Sequence, residues 1–207
     1  MLFPTGCAVK KNTLSPNFYS SGSKVGLILI TNRIRTFRTE QQGFVVGLLT
    51  MNQEKYKRPL STIEPYVNPE DQFKNLYLSL LKSKGKNITL IDTVFDEDQF
   101  NKFIKPDNNN EYFEKDIRSL KDKYQVDEVM IVEVNYGINI TSTGQGGYCL
   151  AECQIINLKD NFVIYKSRSM GSVGLKGKFD TAPDYENWKT SVTSAIKKCI
   201  ELEKNKY

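Results

Sequence analysis

Histidine is absent from all 207 residues. That removes the commonest general base at neutral pH and the commonest metal ligand. Ser-His-Asp and Cys-His catalysis and His-containing zinc sites are therefore excluded, and an enzyme would have to work with carboxylate, Lys or Tyr chemistry. Long apolar runs are also lacking, since no stretch approaches the roughly 18 consecutive apolar residues of a membrane span. Any membrane contact must then come through a modification or a surface. Charge of one sign is not concentrated either. Lys and Arg number 29 against 24 Asp and Glu, a net charge of +5, and the basic residues are spread out rather than clustered as a phosphate-binding footprint requires. Neither a nucleic-acid partner nor a cofactor is expected.

Cysteine is scarce, at four residues, and the first of them is the most informative. Cys7 sits in Thr5-Gly6-Cys7-Ala8, followed by Lys10, Lys11 and Asn12, and this stretch resembles a bacterial lipoprotein attachment site. The resemblance implies a diacylglyceryl and N-acyl group on Cys7 and a soluble domain tethered to a membrane in the periplasm, on the outer (or inner) membrane. An export signal has roughly 7–15 apolar residues before its cleavage site, whereas Met1-Leu2-Phe3-Pro4 stands here, with Pro4 where such motifs usually carry Leu. Two readings follow: a longer signal of which this is the end, or an ordinary cysteine in a disordered leader. Cys149 and Cys153, four apart in a predicted strand, have Cα atoms about 13 Å apart and cannot bond to each other. Cys199 lies on the apolar face of the last predicted helix. One of the two strand cysteines can reach it if that helix packs on the strand; otherwise all three are buried thiols.

Residues 1–22 read as leader and tether, because Ala8 to Gly22 is polar and punctuated by Pro and Gly without a sustained period. Residues 23–207 then form one globular domain. Lys24 to Ile30 is a short apolar run, expected as a strand buried on both faces. Arg33 to Gln42 reads as loop. Gly43 to Leu49 is a second apolar piece, either a strand or a surface that meets a partner or a bilayer, and Phe44, Val45 and Leu48 are its candidate partner-binding residues.

Asn68-Pro69-Glu70-Asp71 opens a helix carrying Phe73, Leu76, Tyr77, Leu80 and Leu81 at helical spacing and ending near Gly85. Ile88 to Phe95 is a strand. Asp96 and Gln99 resemble a capping box for a short helix burying Phe100, Phe103 and Ile104, and Tyr112 to Tyr124 is a third helix. From Val126 the period becomes two, giving three strands joined by turns at Thr143-Gly144-Gln145-Gly146-Gly147 and Lys159-Asp160-Asn161, an antiparallel meander. A glycine-rich connection precedes a final helix with Trp188, Val192, Ala195, Ile196, Cys199 and Ile200 on one stripe. The fold class is α+β: a mixed, mainly antiparallel sheet with helices packed on one face, in the order β(β)αβααβββα.

This order, with Asp127 to Val132 and with Glu152 to Lys166, resembles the periplasmic lipoprotein domains of the curli-secretion and penicillin-binding-protein-activator type, over residues 23 to about 204. The resemblance implies a non-enzymatic, membrane-anchored domain that binds or assembles with other envelope proteins, with homo-oligomers possible. No segment supplies the amphipathic pore hairpins of the curli channel, so a channel is not implied.

Other patterns fall short. Ser172 to Phe179 departs from the phosphate-loop pattern at its first glycine and its last hydroxyl. Gly144-Gln145-Gly146-Gly147 lies between strands rather than before a helix. Asp92, Asp96, Glu97 and Asp98 lack the closing glutamate of a calcium loop and are better explained by helix capping, so no metal is expected. Asp116 with Glu114, or Glu152 with Glu133, is the pair a histidine-free carboxylate hydrolase acting on glycans would need, although nothing in the sequence brings either pair together. The Asn-Ile-Thr triplets at Asn87 and Asn139 are chance matches to a glycosylation acceptor.

Overall fold

The computed structural model describes residues 14–38, 54–141, 144–177 and 185–207. Strand β1 (Lys24–Thr31) is apolar on both sides and lies between two parallel neighbours, β3 (Asn87–Leu90) and β4 (Glu128–Thr141). From β4 the sheet turns antiparallel through β5 (Gly144–Asn157) to β6 (Phe162–Gly174), giving the order β3-β1-β4-β5-β6. A sixth strand, β2 (Arg35–Arg38), continues alongside β4 beyond the end of β1, pairing parallel with residues Gly137 to Ile140. Gly137 makes that resumption possible. Its φ is 145°, and a Cβ there would stand 1.9 Å from the Arg35 carbonyl oxygen, so the two chains approach only because the side chain is missing. The fold is thus the expected mixed sheet with helices, and its meander is antiparallel.

Alternation divides the side chains between two cores. On the first face, Val25, Leu27, Met130, Val132, Val134, Tyr136, Cys153 and Ile155 meet the helices. Helices α2 (Glu54–Ile63), α3 (Glu70–Ser83) and α5 (Glu186–Lys204) cover this face, with Phe73, Tyr77 and Leu81 from α3 and Trp188, Val192 and Ile196 from α5 fully or almost fully buried. Two glycines bring α5 down onto the strands. A Cβ on Gly147 would lie 2.2 Å from the Ser191 oxygen, and one on Gly171 2.0 Å from the Ala195 oxygen. Ser191 then stitches helix to sheet, its Oγ accepting from Gly147 N at 2.7 Å and donating to the Val173 carbonyl at 2.7 Å.

Among the described residues the second face is covered only in part. Ile28, Val129, Ile131, Ile156 and Val163 pack against Ile91, Phe113, Ile117 and Leu120, which come from the largely irregular segment between β3 and β4 rather than from a long helix. Tyr112 to Tyr124 was expected to be helical, but only α4 (Leu120–Tyr124) is. The competing interaction is Asn161, in the β5–β6 turn with φ of 63° and fully buried. Its carbonyl accepts from Phe113 N, its Oδ1 accepts from Ile117 N, and its Nδ2 donates to the Phe113 and Lys115 carbonyls at 3.0 and 2.9 Å. Backbone groups captured in this way cannot close helical turns. The helix expected after Asp96 is likewise a single 3-10 turn, Glu97–Gln99, although Asp96 does cap it by accepting from Asp98 N. The strand expected to reach Phe95 ends at Leu90, because Ile91 dives beneath Gly26 into the second core. The stretch from Arg33 read as loop contains β2, and α2, interrupted by Pro59, had not been anticipated.

Residues 14–22, read as tether, also pack on the domain. Ser15 caps the short helix α1 (Pro16–Ser20), and Leu14 and Phe18 are buried in the main core. Lys86 holds them. Its buried ammonium donates to the Phe18 carbonyl, to Ser21 Oγ at 2.8 Å and to Ser23 Oγ at 2.7 Å, and it is paired with Glu128 at 3.1 Å. Removing one partner of a buried ion pair strands the other. Lys86→Ala is therefore expected to cost about 3–5 kcal/mol in urea unfolding and to expose the amides of residues 16–23 to hydrogen exchange.

The carboxy terminus closes the same core. Glu203 is fully buried, accepting from Tyr77 Oη at 2.7 Å and from Lys206 Nζ at 2.7 Å. Burial, ahead of nearby charges, raises the Tyr77 and Tyr207 hydroxyls well above their ordinary value of 10.0. Above that value the unfolded chain releases these protons while the folded chain retains them, so ΔG of unfolding falls as pH rises. The contribution is complete below pH 10 and is lost as pH climbs through the raised folded-state values. Alkaline titration followed by circular dichroism should show unfolding set in above pH 10, with a shallower dependence in Tyr77→Phe.

Candidate functional site

The part of the second face that the described residues leave uncovered carries the polar cleft. Register puts Ile30, Glu133, Glu152 and Arg168 in one row across β1, β4, β5 and β6, and Ile131, Gln154 and Lys166 in the next. The cleft encloses about 510 Å³, with Ile30, Ile131 and Phe113 among its apolar lining and Glu97 and Glu111 at its edge.

Glu133 and Glu152 stand directly opposite one another. Cross-strand partners have Cβ atoms about 4.5–5.5 Å apart, and like charges so placed repel. Each carboxylate has its own relief. Glu133 Oε1 accepts from Asn32 Nδ2 at 2.7 Å and from Asn135 Nδ2 at 3.0 Å. Glu152 faces the Arg168 guanidinium at 3.6 Å, with both side chains about half exposed. Lys166 pairs with Glu111. Burial raises the Glu97 carboxyl above its ordinary value, with Lys115 opposing and Glu133 adding to the rise.

Asn135 is the hub of the upper end. It is buried, its Oδ1 accepts from Asn32 Nδ2 at 2.9 Å and from Arg35, and Arg35 lies over the Phe37 ring at 5.0 Å. Phe37 in turn contacts Tyr148 with ring centroids 4.6 Å apart. These side chains fix β2 against the sheet, and Met170, exposed at 51 %, extends the surface on β6.

Glu133 and Glu152 were candidates in the sequence, and the sheet brings them together. Asp116 and Glu114 form no such pair: Asp116 is engaged by Arg118 Nε at 2.8 Å and Nη2 at 2.7 Å, and that hydrogen bond holds its carboxyl below the usual range. Asn32, Asn135, Arg35 and Arg168 were missed. The available sign was Glu133 and Asn135 as polar residues on one face of a strand whose other face runs Met130, Val132, Val134, Tyr136, Ile138 and Ile140. Cys7, Phe44, Val45 and Leu48 lie outside the described residues. Among the described residues no group of three Cys, Asp or Glu can hold a metal ion, and no helix is long and apolar enough to cross a membrane.

The remaining cysteines are free and buried on the first face. Cys153 accepts from Tyr207 Oη at 3.2 Å, and burial pushes its thiol up to about 12. Cys199 donates to the Ser169 carbonyl at 3.4 Å. The neighbouring Cys199 thiol, ahead of burial, raises the Cys149 thiol.

No family model matches the sequence, and no curated protein does. Solved structures overlap it in part. A lipoprotein from Neisseria meningitidis is 11% identical, with 72% of this chain and 81% of that one covered and a TM-score of 0.38. A hypothetical protein from Chlamydia trachomatis is 11% identical over 90% of this chain and 98% of that one, with a TM-score of 0.41. The LpoB C-terminal domain from Salmonella enterica is 6% identical over 76% and 94%, with a TM-score of 0.32. Overlaps of this extent carry no functional assignment.

The hub gives a direct test of the site's construction. Asn135→Ala leaves Glu133 and Arg35 each short of a partner and should cost about 1–3 kcal/mol, with the loss of exchange protection concentrated in residues 35–38.

Proposed function

We propose that the protein is a non-enzymatic, lipid-anchored envelope protein whose domain is a binding or assembly module for other envelope proteins. The observation that carries the binding half is the sheet face that the described residues leave uncovered, where charged side chains are paired above an apolar floor. A preformed surface of this composition suits a protein partner, since a polar rim around an apolar centre is the usual anatomy of such contacts. The anchoring half rests on Thr5-Gly6-Cys7-Ala8. Phe44, Val45 and Leu48 stay candidates for the partner contact, and homo-oligomers remain among the assemblies proposed.

Mass analysis of the native amino terminus after fractionation tests the anchor. The expected product is membrane-bound with an acylated Cys7, and Cys7→Ser should move it to the soluble fraction; native protein in the cytosol with a bare thiol refutes the envelope assignment. A photo-crosslinker placed at Met170 in cells tests the surface. A discrete protein adduct that disappears with Glu152→Lys is expected, and no adduct in the envelope would end the binding reading.

One observation favours a second reading, a carboxylate hydrolase acting on glycans: the facing of Glu133 and Glu152 in a cleft. Glycosidases need two carboxyls about 5–9.5 Å apart. Release of reducing ends from envelope glycans, abolished by Glu133→Gln and by Glu152→Gln, would establish it. Failure of the purified protein to release any would dismiss it.

A further inference from the structure

Four observations converge where α5 crosses the meander. Cys149 and Gly171 are direct register partners on β5 and β6. Gly171 has no side chain, and the position its Cβ would occupy is 2.8 Å from Cys199 N. The Cys199 thiol reaches the Ser169 carbonyl, two residues along β6 on the same face. Cys149 and Cys199 lie in the same first-face core, both fully buried. Cys153 is excluded from this group because its thiol faces Tyr207 near the chain end.

We propose that Cys149 and Cys199 are the sites of a disulfide that fastens the C-terminal helix to the sheet when the chain matures in an oxidising compartment. The geometric pairing stands by itself; its formation in cells rests on the envelope reading above.

The chemistry is thiol–disulfide exchange with a disulfide-bearing oxidant, protein or small molecule. One cysteine, as thiolate, attacks a sulfur of the oxidant's disulfide; a mixed disulfide forms, and the oxidant's other sulfur leaves as thiolate and takes up a proton. The second cysteine thiolate attacks the protein sulfur of the mixed disulfide and expels the oxidant's remaining sulfur. The protein loses two hydrogens and the oxidant gains them. Both thiols are completely buried in the folded chain, so exchange occurs before α5 docks. The bond closes a loop of 51 residues from position 149 to position 199, between the sheet's central hairpin and an element that must otherwise find it by packing alone.

The test uses the full chain with Cys7→Ser, which removes the fourth thiol. It is unfolded under reducing conditions, refolded in mixed reduced and oxidised glutathione, alkylated and peptide-mapped. The expected result is one disulfide joining the peptides of Cys149 and Cys199, an alkylated Cys153, and a fall in Tm on the order of 5–10 °C on reduction. Cys153→Ser should form the same bond, which covers the case in which Cys199→Ser fails to fold. Three alkylated thiols, or a bond that includes Cys153, overturns the pairing. In a second arm, native protein is alkylated at lysis. The bond is expected there too, whereas a bond seen on refolding but missing from cells overturns the maturation step and leaves the pairing geometry standing.

Discussion

The main core depends on the backbone of the C-terminal helix lying against the sheet at Gly147 and Gly171, where no Cβ fits. At that separation the helix lays Trp188, Val192, Ala195 and Cys199 directly against the meander. Ser191 satisfies polar backbone groups that so close a contact would otherwise leave unpaired. Helix α3 and the chain end then fill the remaining space, with Tyr77, Glu203 and Tyr207 forming the polar seam among them. A wider spacing would open cavities beside Trp188 and separate Ser191 from both strands.

The second face follows from what the helices do not do. With its long helices committed to one side, the protein covers the other with the irregular stretch from Ile91 to Leu120, tied to the sheet by the turn residue Asn161, by the Val163 amide and by the Tyr112–Phe162 bridge. That stretch folds back on itself, Lys102 pairing with Lys115, and among the described residues only part of the face is covered. The remainder of the face therefore carries polar residues, and the rows that begin at Ile131 and Ile30 become the floor and rim of the cleft. Its paired charges lie where that cover ends.

How much of this could be read in advance depends on the kind of force involved. The meander and the helices around Phe73 and Trp188 were legible, because their apolar periods are sustained over many residues. Residues 112–117 were misread because their spacing is helical while their backbone groups are taken by Asn161, a residue far along the chain. Leu14 and Phe18 were hidden in a polar segment, since burial there depends on Lys86. Glu133 and Glu152 were legible as residues but not as a pair, because register across two strands is a property of the hairpin and not of either segment. The same holds for Cys149 and Cys199: distance in sequence left two partners open for the helix cysteine, and only the docking of α5 distinguishes them.

The docking of Leu14 sets the length of any leash. With an acyl group on Cys7, six residues would separate the lipidated position from Leu14, the first buried side chain among the described residues, a reach of at most about 25 Å when fully stretched. A globule on so short a mooring is confined near the headgroups. Its α1 edge, where Ser23 meets Glu128, would be turned toward the lipid, and the opposite end of β4 at Thr141 would be carried outward.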